Sequence, residues 1–235
     1  MKKHNRLAVL ALMISSAVAA SIAIETQIIW AGDDGGPSTG AANQVSAGDV
    51  DINRSRVYTF VGKTGFGHEH GVVGRLKSGT IRLGADHDAG QLEFDLTSFV
   101  ADTVEARRYV GLEGETDAST QEQVTTNMLG AYVLDTSHFP TATFVISSAL
   151  PMRGNQPNGT LRYQLQGRFT LHGVTRPLRI VAEALRESGA VRLRGGFALV
   201  QTDYGIKPFS KALGAVGVTD RLKIYGEILI VAPGS

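Results

Sequence analysis

Beyond about residue 50, hydrophobic and polar positions alternate with a period of two through most of the chain. Leu161, Tyr163, Leu165, Phe169 and Leu171 interleave with Arg162, Gln164, Gln166, Arg168 and Thr170, the spacing that sends successive strand side chains to opposite faces. His172 and Gly173 interrupt the pattern, and Leu178 and Ile180 resume it, so a long antiparallel hairpin is predicted here. Leu92, Phe94 and Leu96 alternate with Glu93, Asp95 and Thr97, and Val191, Leu193, Phe197 and Leu199 with Arg192, Arg194, Ala198 and Val200. Each strand therefore has one apolar and one wet face.

Strand signals cover residues 56–61, 72–83, 91–97, 143–148, 160–171, 177–185, 191–204 and 221–231, about eight in all. Between Asp102 and Gly130 the alternation stops. Ser119 stands three residues before Glu122 in a capping-box arrangement, which predicts a helix from about Thr120 to Gly130. Val124 and Met128 would share one stripe of that helix, and Gly111 and Gly114 mark irregular chain before it. The predicted fold is all-β: an antiparallel eight-stranded barrel with one short crossing helix. The interior of such a barrel is either filled by side chains or holds one small ligand.

Composition agrees with one such domain: 235 residues, 28 of them Gly, 43% hydrophobic and no Cys. Stability must then come from the core and the strand ladder, with no disulfide to help. The N-terminus carries Lys2, Lys3 and Arg6, an uncharged stretch over residues 7–24, and small residues at Ala17, Ala19 and Ala20. That order predicts a secretory signal over residues 1–20 and a periplasmic or secreted mature protein. An uncleaved anchor reaching to about residue 31 is the lesser reading, since the apolar stretch is 18 residues long. Residues 32–48 read as a flexible linker and 50–232 as the folded domain. Without the leader, 20 basic side chains face 22 acidic ones, which removes the basic footprint a nucleic-acid binder needs.

Several motifs of chemistry fail on inspection. Gly62, Lys63 and Thr64 end like a phosphate loop, but Val57 stands where its first glycine belongs. No Gly-x-Ser-x-Gly elbow occurs, so a hydrolase or isomerase has only scattered polar residues behind it. Asp86, Asp88 and Gly90 begin a calcium loop that lacks its other ligands. His68 and His70 are stronger candidates: in an extended segment they project to one side and can begin a metal or haem site, given further ligands from His138 or His172. The competing reading makes them structural histidines that hold loops by hydrogen bonds.

The apolar faces nominate an interior lining of Phe60, Leu92, Phe94, Leu96, Phe144, Ile146, Leu165, Phe169, Leu193 and Phe197. Ordinary core packing is the alternative for each. The helix with Val124 and Met128 would cover the mouth.

Ordered features along the chain resemble the YceI family of exported, lipocalin-like proteins, whose characterised members bind polyisoprenoid lipids. These are Ser55, Arg56 and Val57; the Gly67, His68, Glu69, His70 turn; Asp135 to Phe144 with Phe139 and Pro140; Leu171 to Thr175 with Pro177; and Asp203 to Ile206 ahead of Asp220. The resemblance spans about Val50 to Val231. It implies a lipocalin-like barrel that binds, transports or sequesters a long apolar ligand in the bacterial cell envelope without catalysis: a polyisoprenoid, an isoprenoid quinone or a similar lipid. No cofactor is then required, the partner is an apolar small molecule or lipid, and membrane association and a homodimer stay open. The Gly67 to His70 turn and a longer insertion from Ala106 to Gln123 depart from the better-characterised lipid carriers and mark a variant subset. A metal- or haem-associated envelope protein using His68 and His70 is the second reading.

Overall fold

A computed structural model describes residues 48–152 and 160–232. The expected signal, anchor and nearly all of the expected linker fall outside the described residues. Among the described residues, no helix is long and apolar enough to cross a membrane.

The strands are β1 (Arg56–Gly65), β2 (His70–Ile81), β3 (Gly90–Ala101), β4 (Thr141–Pro151), β5 (Leu161–Leu171), β6 (Val174–Glu187), β7 (Ala190–Val200), the two-residue β8 (Ser210–Lys211) and β9 (Val216–Val231). The sheet order is β1-β2-β3-β4-β5-β6-β7-β9, and β9 pairs back with β1, so eight long antiparallel strands close a barrel. β8 only flanks the start of β9. Closure leaves none of the long strands with an open edge. Ser55, fully buried, secures the seam: its hydroxyl donates to the Asp51 carbonyl at 2.7 Å and accepts from the Leu229 N–H at 2.9 Å.

Three elements differ from expectation. The strand expected over 191–204 stops at Val200, and Gln201–Tyr204 forms a 3-10 turn. Asp220 causes the break, because its carboxylate accepts from both the backbone N–H and the hydroxyl of Thr202, at 2.9 and 2.6 Å. The longer helix, α2 (Ala118–Leu129), starts at an Asp117 cap rather than at Ser119. The Asp117 carboxylate accepts from the Thr120 N–H at 3.0 Å and the Thr120 hydroxyl at 2.7 Å, and its charge suits the positive end of the helix. A six-residue helix, α1 (Val104–Tyr109), was not expected at all.

α1 packs on the outer wall at Gly71, where a Cβ would come within 2.9 Å of the Ala106 backbone. Only glycine allows that approach. The Tyr58 hydroxyl donates to Glu105 at 2.6 Å and its ring stacks on Tyr109 at 3.7 Å between centroids. Tyr58 is thus buried although it faces away from the barrel axis.

Candidate ligand-binding cavity

The strand ends carrying His70, Ala101, Leu171 and Val200 meet at one end of the barrel, together with the β3–β4 connection that contains both helices. Below that end lies a cavity of about 250 Å³. Leu92, Phe94, Leu96, Phe144, Leu165, Phe169, Leu193 and Phe197 line it, and Val124 and Met128 reach it from α2. Phe169 sits among three other rings, with Phe94, Phe197 and Tyr204 at 6.3, 5.8 and 5.9 Å in edge-on geometry, the arrangement that suits the aromatic quadrupole.

Two expected lining residues are elsewhere. Phe60 faces outward, with the Lys223 ammonium 5.4 Å from its ring centroid, because Val57, Thr59 and Val61 are the β1 residues on the cavity side. Ile146 is fully buried in the core cluster and does not reach the cavity surface. β9 adds a wall beyond the expected lining: Leu222, Ile224, Gly226 and Ile228 all line the cavity, and their period of two is a signal present in the sequence. Ile206 and Phe209 also reach inward, from the β7–β9 connection, and carry no strand period.

The histidines separate. His68 is exposed, whereas His70 lines the cavity. His138 pairs with Asp135 at 2.9 Å on the surface. His172 and Gly173 form the two-residue β5–β6 turn, both with positive φ (50° and 74°), as a type I′ hairpin turn requires, and Phe139 packs on the His172 ring at 4.4 Å. Among the described residues, no three His, Cys, Asp or Glu side chains are grouped so as to hold a metal ion.

His70 Nδ1 lies 2.6 Å from Asp102 Oδ2, and Asp102 Oδ1 accepts from the Gly71 N–H at 3.0 Å and from Arg107 at 3.4 Å. Burial opposes ionisation of Asp102, but the His70 hydrogen bond and charge, the Gly71 N–H and the Arg107 guanidinium together hold its carboxyl below the ordinary 3.8. A carboxyl lowered on folding stabilises the fold above its unfolded value and loses that contribution as pH falls through the folded one. Wild-type protein should therefore lose stability from about pH 5 downward, and Asp102→Asn should flatten that acid limb; thermal unfolding across the acid range checks it. An acid limb of the same steepness in Asp102→Asn would contradict this assignment.

A YceI-like domain matches residues 49–228. No curated protein matches the sequence. Among solved structures, BcnA of Burkholderia cenocepacia is similar with a TM-score of 0.50 at 16% identity, covering 78% of this chain and 100% of that one. A polyisoprenoid binding domain from Saccharophagus degradans is similar with a TM-score of 0.54 at 15% identity, covering 80% and 100%. At these identities the two structures share the fold. Because the domain match covers most of the chain and reaches every long strand of the barrel, the chain belongs to the YceI family.

Proposed function

We propose that the barrel binds a long apolar molecule of the isoprenoid lipid or quinone class and carries or sequesters it in the cell envelope without transforming it. The observation that carries this reading is the cavity of about 250 Å³ with a wall built mainly from aliphatic and aromatic side chains. Two further facts support it. One of the similar structures is described as a polyisoprenoid binding domain, and the leader-like N-terminus agrees with export.

Energetics favour a long ligand over a compact one. Burying one five-carbon prenyl unit contributes at most ~4 kcal/mol, against an association cost of ~4–15 kcal/mol. Several units must enter before binding is tight. A cavity of about 250 Å³ lies just under the ~300–1,000 Å³ of ordinary small-molecule sites, so a long chain enters when α2 shifts. α2 is built for that movement: none of its residues is fully buried. Its polar ties to the barrel include the Gln121 amide donating to the Asp102 carbonyl at 2.7 Å and the Thr125 hydroxyl accepting from the Ala101 N–H at 3.0 Å.

Displacement of a fluorescent apolar probe tests the reading. Farnesol should displace it, and geranylgeraniol, one prenyl unit longer, should do so at lower concentration. Failure of both alcohols to displace the probe would sink the proposal.

A further inference from the structure

The cavity wall includes a histidine tied to a buried ion-paired cluster. His70 opens β2 beside Val61 of β1 and lines the cavity, and its partner Asp102 has a side chain only 2% exposed. Burying a carboxylate is costly unless it is fully paired. Here Asp102 accepts from His70, Gly71 and Arg107, and Arg107 is itself held by the Gly114 carbonyl at 3.0 Å. Aliphatic side chains would join β2 to β3 without that cost, so the cluster needs a reason beyond holding the wall together.

Its geometry fixes one chemical property of the cavity. An ionised carboxylate only accepts, so the His70 nitrogen facing Asp102 carries the proton, and whenever the imidazole is neutral it is the other ring nitrogen that offers a lone pair. Among the described residues, Nδ1 is the His70 ring nitrogen with a partner and Nε2 has none. α2 passes close by, since Gln121 donates to the carbonyl of Asp102 itself. A ring nitrogen with no protein partner among the described residues thus belongs to a residue that lines the α2 end of an apolar cavity.

We propose that His70 is the polar anchor of the ligand: its Nε2 accepts a hydrogen bond from the terminal hydroxyl of an isoprenoid alcohol whose chain runs into the barrel toward Phe169. Asp102 is the positioning residue that sets the tautomer and holds the ring. Such an anchor selects a ligand whose head donates a hydrogen bond over one of equal length whose head only accepts. This inference rests on the carrier reading above.

The test compares farnesol with its methyl ether, which has the same chain and no donor. Wild-type protein should bind the alcohol ~3–10-fold more tightly, the range expected for one hydrogen bond. His70→Leu should bind both ligands with about the affinity of wild type for the ether. Nitrogen NMR of wild-type protein gives a readout independent of how the variant folds: the His70 Nε2 resonance should move on adding farnesol and stay in place on adding the ether. Equal binding of the two ligands by wild type, a preference that survives His70→Leu, or an unmoved Nε2 resonance would overturn the anchor while leaving the carrier intact. Failure of both ligands to bind would overturn the carrier reading and the anchor with it.

Discussion

Gly226→Phe should abolish uptake of an apolar ligand while leaving the barrel folded. Gly226 belongs to the β9 face that lines the cavity, with Leu222, Ile224 and Ile228. A Cβ there would meet nothing closer than Ile228 Cγ1 at 3.7 Å, which is ordinary contact, and the backbone is not in a conformation that demands glycine. The added ring therefore projects into space that a ligand would otherwise fill. Excluding one prenyl unit forfeits ~4 kcal/mol, roughly a thousandfold in affinity. Gly195, directly across the β7–β9 ladder, is no substitute: a Cβ there would lie 2.9 Å from the Val181 carbonyl oxygen and strain the sheet. Probe titration alongside thermal unfolding checks the expectation. Binding at wild-type affinity by a folded Gly226→Phe protein would place the ligand elsewhere.

Phe169→Ala should destabilise the fold by ~3–5 kcal/mol. The side chain is buried among Phe94, Phe197 and Tyr204, and truncation enlarges the cavity that already exists beside it. Domains of this kind hold ~5–15 kcal/mol in total, so the urea midpoint should fall sharply. Phe60→Ala is the matched control. That ring lies outside the barrel against Lys223, and its loss should cost only about 1 kcal/mol through a partly exposed cation–π contact. Equal losses for the two variants would contradict the assignment of inside and outside faces.

Phe60 also shows where sequence reading runs out. On β1 both faces are apolar, Val57 and Val61 inward and Tyr58 and Phe60 outward, because α1 covers Tyr58 and the Lys223 ammonium rests over Phe60. A period of two then identifies a strand without saying which face is inside. On β3 and β5 charged residues mark the wet face, so Leu92, Phe94, Leu96, Leu165 and Phe169 are legible as lining. α1 is too short to leave a helical period, and its place depends on Gly71, a contact across 35 residues of sequence. The Asp117 cap was legible in principle, but Ser119 and Glu122 mimic a capping box two residues later. The pairing of His70 with Asp102 spans 32 residues and exists only because β2 and β3 bring Val72 opposite Ala101. No spacing in the chain announces it. The sequence therefore offered His70 as a metal ligand beside His68, whereas the structure turns it to a carboxylate and a cavity.

Native mass spectrometry of the full chain, purified without detergent from its own cells, tests ligand carriage most directly. Wild-type protein should retain an adduct of isoprenoid mass that survives gentle ionisation, and Gly226→Phe prepared in the same way should fly as the bare chain. A bare chain for wild type, with no displacement of an apolar probe by farnesol, would contradict carriage by this barrel.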